Sequence, residues 1–155
     1  MQRIVLAFSG GLDTSVAIPW LAERHSAEII AVTIDLGQGR ELEAVRDRAL
    51  TTGAVRAHVL DARDEFARHY VVPGLKADAT GPDGAPIGAA LSRPLIAQKL
   101  VEIAGIEGAA AIAHAGRGSA IDAAAAMLNP ALRVLAPARD WTMTPLQQLE
   151  YARAR

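Results

Sequence analysis

RIVLAFSGGLDTSV, Arg3 to Val16, is the stretch whose reading decides the fold. Arg3 to Phe8 is short and almost wholly apolar, the pattern of a strand buried on both faces of a parallel sheet. The run stops at the glycine pair Gly10 and Gly11, and helical spacing follows from Thr14 to His25. Strand, glycine turn and helix in that order open an alternating α/β chain.

The same alternation continues outward. Apolar runs at Glu28 to Ile34, Val55 to Leu60, Ala109 to His114 and Leu132 to Ala136 predict four more strands. Helices are predicted over Arg40 to Thr52, Asp64 to Lys76, Leu91 to Ile106, Ser119 to Leu128 and Pro145 to Arg155. In the second helix Leu42, Val45, Ala49 and Leu50 are expected on one side, with Gly53 as its cap. Pro73 and Gly74 should bend the third, and Ala79 to Gly88 reads as an irregular loop. The expected architecture is α/β: a doubly wound, parallel, five-stranded sheet with helices on both faces. In such sheets ligands sit at the carboxyl ends of the strands, so the loops Ser9 to Asp13, Asp35 to Gly39, Asp61 to Asp64 and Ala115 to Gly118 are the candidate site.

Composition narrows the classes. At 155 residues one domain is expected over 1–155, with a core that needs no staple. The chain is 51% hydrophobic and 21% charged, yet no run approaches the roughly twenty apolar residues a membrane helix requires. Met1, Gln2 and Arg3 lead straight into the first apolar run without an export signal, so a cytoplasmic protein without membrane contact is expected. Cysteine is absent, which removes disulfides, thiolate metal sites and persulfide chemistry. The net charge is −1, like charges form no block, and aromatics make up 4%, so no nucleic-acid partner is expected.

Chemistry concentrates in SGGLDTS: Ser9, Gly10, Gly11, Leu12, Asp13, Thr14 and Ser15. Two residues without Cβ let the backbone turn sharply and approach a ligand closely. The amides at the start of the following helix then point outward, where the helix dipole favours phosphate. The hydroxyls of Ser9, Thr14 and Ser15 add donors. Asp13 would repel phosphates unless a hard cation lies between, which predicts Mg²⁺ held indirectly by that carboxylate. A plain turn with Asp13 or Thr14 as N-cap is the alternative. No lysine follows the glycines, so this is not a Walker A loop, and it is not a dinucleotide fingerprint.

The loop resembles that of the PP-loop, or N-type ATP pyrophosphatase, superfamily. The chain as a whole is similar to the nucleotide-binding domain of the argininosuccinate synthase family. The resemblance rests on LAFSGGLDTSV at Leu6 to Val16, DLGQG at Asp35 to Gly39, ARDEF at Ala62 to Phe66, SRPLIAQKLVEIA at Ser92 to Ala104 and LAPARDW at Leu135 to Trp141. It implies an adenine nucleotide alpha hydrolase-like, Rossmann-like fold and an ATP-dependent, AMP-producing ligase. A substrate oxygen would attack the α-phosphorus of ATP, pyrophosphate would leave, and an amine would then displace AMP. The matching stretches place adenine and ribose near Ala7, Phe8, Ile34, Gly116 and Gly118. They give no residue a catalytic role.

The family pattern is not reproduced throughout. The family continues into a synthetase domain, which is expected to be absent here; a partner chain or self-association would then complete the site. Residues that contact citrulline in the family fall on Ala85, Ala89 and Ala90. The family segment GKGNDQVRFE is replaced by GRGSAIDAAAA at Gly116 to Ala126, keeping the glycines, Arg117 and Ser119. An unknown small-molecule substrate is therefore expected beside ATP. The alternatives are a nucleotide-binding sensor or scaffold without catalysis, and a truncated synthase copy.

Other residues carry plainer readings. His25, His58, His69 and His114 lack ligand spacing, and His114 at a strand end reads as a hydrogen-bonded structural residue. Asp61 and Asp64 read as caps of the following helix. Pro19 lies within the first helix, where it costs about 3 kcal/mol unless the helix effectively begins at Ser15, which would leave the phosphate loop looser.

Overall fold

The computed structural model describes residues 2–39, 41–81, 84 and 87–154. Five parallel strands form one sheet in the order β3-β2-β1-β4-β5: β1 (Gln2–Ala7), β2 (Ala27–Asp35), β3 (Arg56–Asp61), β4 (Ala111–Ala113) and β5 (Arg133–Leu135). Around it lie α1 (Leu12–His25), α2 (Leu42–Thr51), α3 (Arg63–Phe66), α4 (Val72–Lys76), α5 (Gly88–Glu107), α6 (Ala120–Leu128), α7 (Pro137–Asp140) and α8 (Pro145–Arg153).

Strand alternation divides the core between the two faces. Ile4, Leu6 and Phe8 pack with Val16, Ile18 and Leu21 of α1 and Val45 and Ala49 of α2. Val5, Ile30 and Val32 pack with Leu95, Leu100 and Ile103 of α5 and Ala125 of α6. Each fully buried aliphatic side chain contributes about 1.5–3 kcal/mol, which explains why β1 is apolar on both sides. The chain winds outward from β1 to β3, then returns to build β4 and β5 on the other side. The carboxyl ends of β1 and β4 therefore mark the switch point, where the flanking loops diverge and a crevice opens.

Several local expectations need correction. The first helix begins at Leu12, not Ser15, so Pro19 sits well inside it and gives no reason for a loose loop. Leu50 is 38% exposed; Val45 and Ala49 are the buried residues of α2. Between α3 and α4 the chain makes a π-helical turn, Ala67–Val71, in which Val72 N–H donates to Ala67 O five residues back. Pro73 lies within the next turn, where its ring and missing N–H disturb the regular ladder upstream. β4 is shorter than expected because Gly108, at φ +61, ends α5, and Ala109 N–H still bonds back to Ala104 O at 2.8 Å. The short α7 was not anticipated.

Candidate functional site

The switch-point crevice is a cleft of about 790 Å³. Its floor and one wall are Ala7, Phe8 and Ser9 from the end of β1, Asp13 and Thr14 from α1, and Val32, Thr33 and Ile34 from β2. Leu36, Gly37 and Gln38 border it after β2, and His114, Ala115 and Gly116 after β4. The opposite wall comes from Phe66, Gly88, Ala89, Ser92, Ile96 and Ile121.

The loop from Ser9 to Asp13 is stitched from within. Phe8 N–H donates to Val32 O at 2.8 Å, and Thr33 Oγ1 donates to Phe8 O at 3.0 Å, so β2 anchors the point where β1 ends. Gly10 turns the chain at φ +74, and a Cβ there would meet Val45 Cγ1 at 3.2 Å. Arg48 Nη1 donates to Gly10 O at 2.7 Å, tying the loop to α2. The Thr14 hydroxyl is buried and committed internally: it donates to Gly11 O at 3.1 Å and lies 3.2 Å from Ser9 Oγ. Its work is to shape the loop.

Gly11 is the N-cap of α1, in extended conformation and without a side-chain cap bond. The first intrahelical bond is Ser15 N–H to Gly11 O at 3.0 Å, so the amides of Leu12, Asp13 and Thr14 have no acceptor inside the helix. Asp13 is exposed in the first turn and faces the cleft. An exposed carboxylate beside open amides suits Mg²⁺, which keeps several waters and takes one or two carboxylates together with phosphate oxygens.

The loop after β2 is closed by its own side chains. Gln38 Nε2 donates to Ile34 O at 2.8 Å, Gln38 Oε1 accepts Leu36 N–H at 2.7 Å, and Asp35 Oδ1 accepts Gly37 N–H at 2.9 Å. After β3, Arg63 donates to Asp61 at 2.6 and 2.9 Å and holds that exposed carboxyl down at about 2. Asp61 Oδ1 also accepts Arg63 N–H at 3.2 Å, but the N-cap of α3 is Ala62 and no side chain caps it, so neither Asp61 nor Asp64, which lies in the first turn, is the expected cap.

After β4, His114 is buried and lines the cleft. Burial pushes its pKa below the ordinary histidine value; Asp122 beside it works in the opposite direction. Asp122 is in turn held low by Arg139, which donates to Oδ1 at 2.5 Å, and by His114, against the opposing pull of burial.

Among the expected site residues, Ala7, Phe8, Ser9, Asp13, Thr14, Ile34 and Gly116 meet on this one cleft. Gly10, Gly11, Leu12 and Ser15 belong to the turn and helix start behind it, and Gly118 lies off the lining. Ala89 lines the far wall, Ala90 is exposed in the first turn of α5, and Ala85 lies outside the described residues. Reasoning from the sequence missed Thr33, Val45, Arg48, Ser92 and Ile96. Ser92 and Ile96 carried a signal through SRPLIAQKLVEIA, as Gln38 did through DLGQG, and Val45 was expected only on the apolar side of its helix.

Residues 3–155 match the family model of the arginosuccinate synthase N-terminal HUP domain. The chain is 49% identical over 158 residues to argininosuccinate synthase of Streptococcus thermophilus, covering 99% of this chain and 39% of that protein. It is 44% identical over 158 residues to that of Oceanobacillus iheyensis, covering 99% and 38%. The chain thus spans about two fifths of the length of these curated relatives. Among solved structures it is similar to a 4-thiouridine synthetase in complex with RNA and with bound ATP, at TM-score 0.67 and 20% identity, covering 99% of this chain and 40% of that one. A predicted subunit of tRNA methyltransferase from Methanocaldococcus jannaschii is similar at TM-score 0.61 and 15% identity, covering 99% and 75%. These two establish the Rossmann-like fold alone. Among the described residues no helix is long and apolar enough to cross a membrane.

Proposed function

The chain belongs to the argininosuccinate synthase family through its N-terminal HUP domain, and from that premise we propose that it binds ATP at the carboxyl end of β1 and takes part in an AMP-producing ligation. The observation that carries this reading is the uncapped start of α1, whose open amides and Asp13 border a cleft floored by Ala7, Phe8 and Ile34. Apolar floor and polar end match the two ends of an adenine nucleotide.

In this reading the triphosphate lies along Ser9 to Ser15. The amides of Leu12, Asp13 and Thr14 donate to phosphate oxygens, with Ser9 and Ser15 flanking them. Asp13 would hold Mg²⁺ indirectly, and the ion would supply neutralisation of the charge on the leaving pyrophosphate. Adenine and ribose lie against Ala7, Phe8 and Ile34, with Gly116 and Gly118 nearby. An oxygen of the second substrate attacks the α-phosphorus, and the electron pair of the breaking P–O bond leaves on pyrophosphate. An amine then displaces AMP. The protein's share is orientation of the two reactants and fixed donors at the developing charge.

A second reading, nucleotide binding without turnover, draws support from the far wall. Gly88, Ala89, Ile96, Phe66 and Ile121 offer an incoming polar substrate no side-chain hydrogen bond there. Ser92 is the polar member, and its hydroxyl donates to Ala89 O at 2.9 Å. The second substrate of the first reading is accordingly neither citrulline nor aspartate as the family holds them.

Calorimetry with ATP and Mg²⁺ tests the shared part, with Asp13→Asn as its control. The wild type should bind more tightly when Mg²⁺ is added and the variant should lose that gain. Release of AMP and pyrophosphate with a panel of oxygen nucleophiles separates the two readings. No heat from adenine nucleotides, with or without Mg²⁺, removes both.

A further inference from the structure

Both ring nitrogens of His114 are engaged, and that settles where its proton lies. Gly116 N–H lies 3.1 Å from Nδ1, and because an amide only donates, Nδ1 is the bare nitrogen. The proton is then on Nε2, which donates to Asp122 Oδ2 at 3.0 Å. Arg139 grips the same carboxylate from α7, Nη2 to Oδ1 at 2.5 Å and Nη1 to Oδ2 at 3.4 Å. A continuous chain of bonds thus runs from α7 through α6 to the ring, and from the ring to the amide of a cleft-lining glycine. The approach is close: a Cβ at position 116 would meet Nδ1 at 3.1 Å. A histidine that merely filled space at the end of β4 would need neither a bond to the neighbouring amide nor a fixed tautomer.

Resting on the nucleotide reading above, we propose that His114 is a positioning residue, which as the Nε2–H tautomer holds the Gly116 amide so that the turn from Gly116 to Gly118 meets the bound nucleotide. Protonating Nδ1 would set a donor against a donor, and the turn would be released. The charged groups bearing on the ring are Asp122 of α6, which favours the proton, and Arg139 of α7, which opposes it; Asp13 of α1 borders the same cleft. Burial outweighs Asp122, so the ring stays neutral until below the ordinary histidine range and release belongs to the acid side.

The test compares Mg-ATP affinity, by calorimetry on the full chain, for wild type, His114→Asn and His114→Gln across the histidine range. Asparagine places its oxygen where Nδ1 lies and accepts Gly116 N–H at every pH. Glutamine reaches toward Asp122 and leaves the glycine amide unserved. One hydrogen bond translates to about fivefold in affinity. Wild type should weaken by about that factor on acidification, His114→Asn should keep the neutral affinity with a flatter profile, and His114→Gln should be weakened about fivefold throughout. Titration of the nucleotide itself is common to all three and cancels. Equal affinity of the two variants, or matching pH profiles for wild type and His114→Asn, overturns the positioning role. Absence of binding to wild type at any pH overturns the nucleotide reading and this role with it. Should either variant fail to fold, nitrogen NMR of the wild-type ring decides: a neutral ring with its proton on Nδ1 overturns the proposal.

Discussion

Gly10→Ala offers the sharpest check on how the loop is built. The backbone stands at φ +74 and a new Cβ would lie 3.2 and 3.3 Å from the two methyls of Val45, which is itself buried on α2. The left-handed conformation alone costs an L-residue about 1–2 kcal/mol. Crowding a packed contact adds about 1 kcal/mol more, at the low end of overpacking costs because the obstacle is a side chain. The sum, about 2–3 kcal/mol, corresponds to a loss of roughly 5–10 °C in Tm for a chain of this size. Val45→Ala separates the two contributions. It should itself destabilise by about 1–2 kcal/mol through lost burial, yet in its background Gly10→Ala should cost only the conformational part. Thermal and denaturant melts of the four-member cycle give the coupling, expected near 1 kcal/mol. Gly10→Ala costing less than about 0.5 kcal/mol, or costing the same with and without the valine methyls, would refute the reasoning.

Two further outcomes follow from the same structure. Arg48→Ala removes the donor at 2.7 Å from Gly10 O, and Arg48 is not itself on the cleft lining; stability should fall by about 1 kcal/mol or less because the residue is exposed, while Mg-ATP affinity falls severalfold, and unchanged affinity by calorimetry would count against a role in holding the loop. Glu107, whose side chain is 3% exposed, takes bonds from Arg56 at 2.7 and 2.9 Å and from His58 at 2.8 Å, and Arg56 above all holds its carboxyl below the ordinary value. A depressed carboxyl stabilises the fold fully above its unfolded pKa and loses that contribution as pH falls through the folded one. Acid melts should therefore steepen below about pH 4.5, and Glu107→Gln should flatten that limb while costing about 1.5–3 kcal/mol at neutral pH; an unaltered acid limb in the variant would show that the cluster contributes nothing to folding.

How much of this was legible in the sequence varies with the kind of force involved. β1 and its turn were readable because burial on both faces leaves no polar position from Ile4 to Phe8, and because Gly10 and Gly11 interrupt it abruptly. The ends of β4 and β5 were not, since strand limits depend on where partners stop pairing. β4 bonds to β1 only from Ala111 to Ala113. The role of Arg48 was hidden because it lies 38 residues from Gly10 and reaches a backbone oxygen, a contact no side-chain pattern announces. Asp122 and Arg139 were likewise invisible as partners of His114, because α6 and α7 come together only after β4 and β5 pair.

The two walls of the cleft respond differently to substitution, and this bears on what the domain does with ATP in our reading. On the α1 side the ligand-facing groups are backbone amides together with the Asp13 carboxylate and the flanking serines, so most other side-chain changes there alter shape without removing amide donors; Gly10, Thr14 and Arg48 act by fixing that backbone. On the α5 side Gly88, Ala89, Ile96 and Ile121 offer a second substrate no side-chain hydrogen bond, which leaves Ser92 as the polar side chain among the described residues of that wall. In this reading nucleotide contacts depend less on individual ligand-facing side chains than the choice of a second substrate does. A chain of this family can therefore retain the phosphate loop intact and still differ from its relatives in the molecule it adenylates, or in whether it adenylates one at all. Introducing a polar residue at the exposed Ala89 should leave Mg-ATP affinity within about twofold, since surface substitutions away from packed features stay within roughly 0.5 kcal/mol. A larger loss in calorimetry would mean that the two walls of the cleft are not independent.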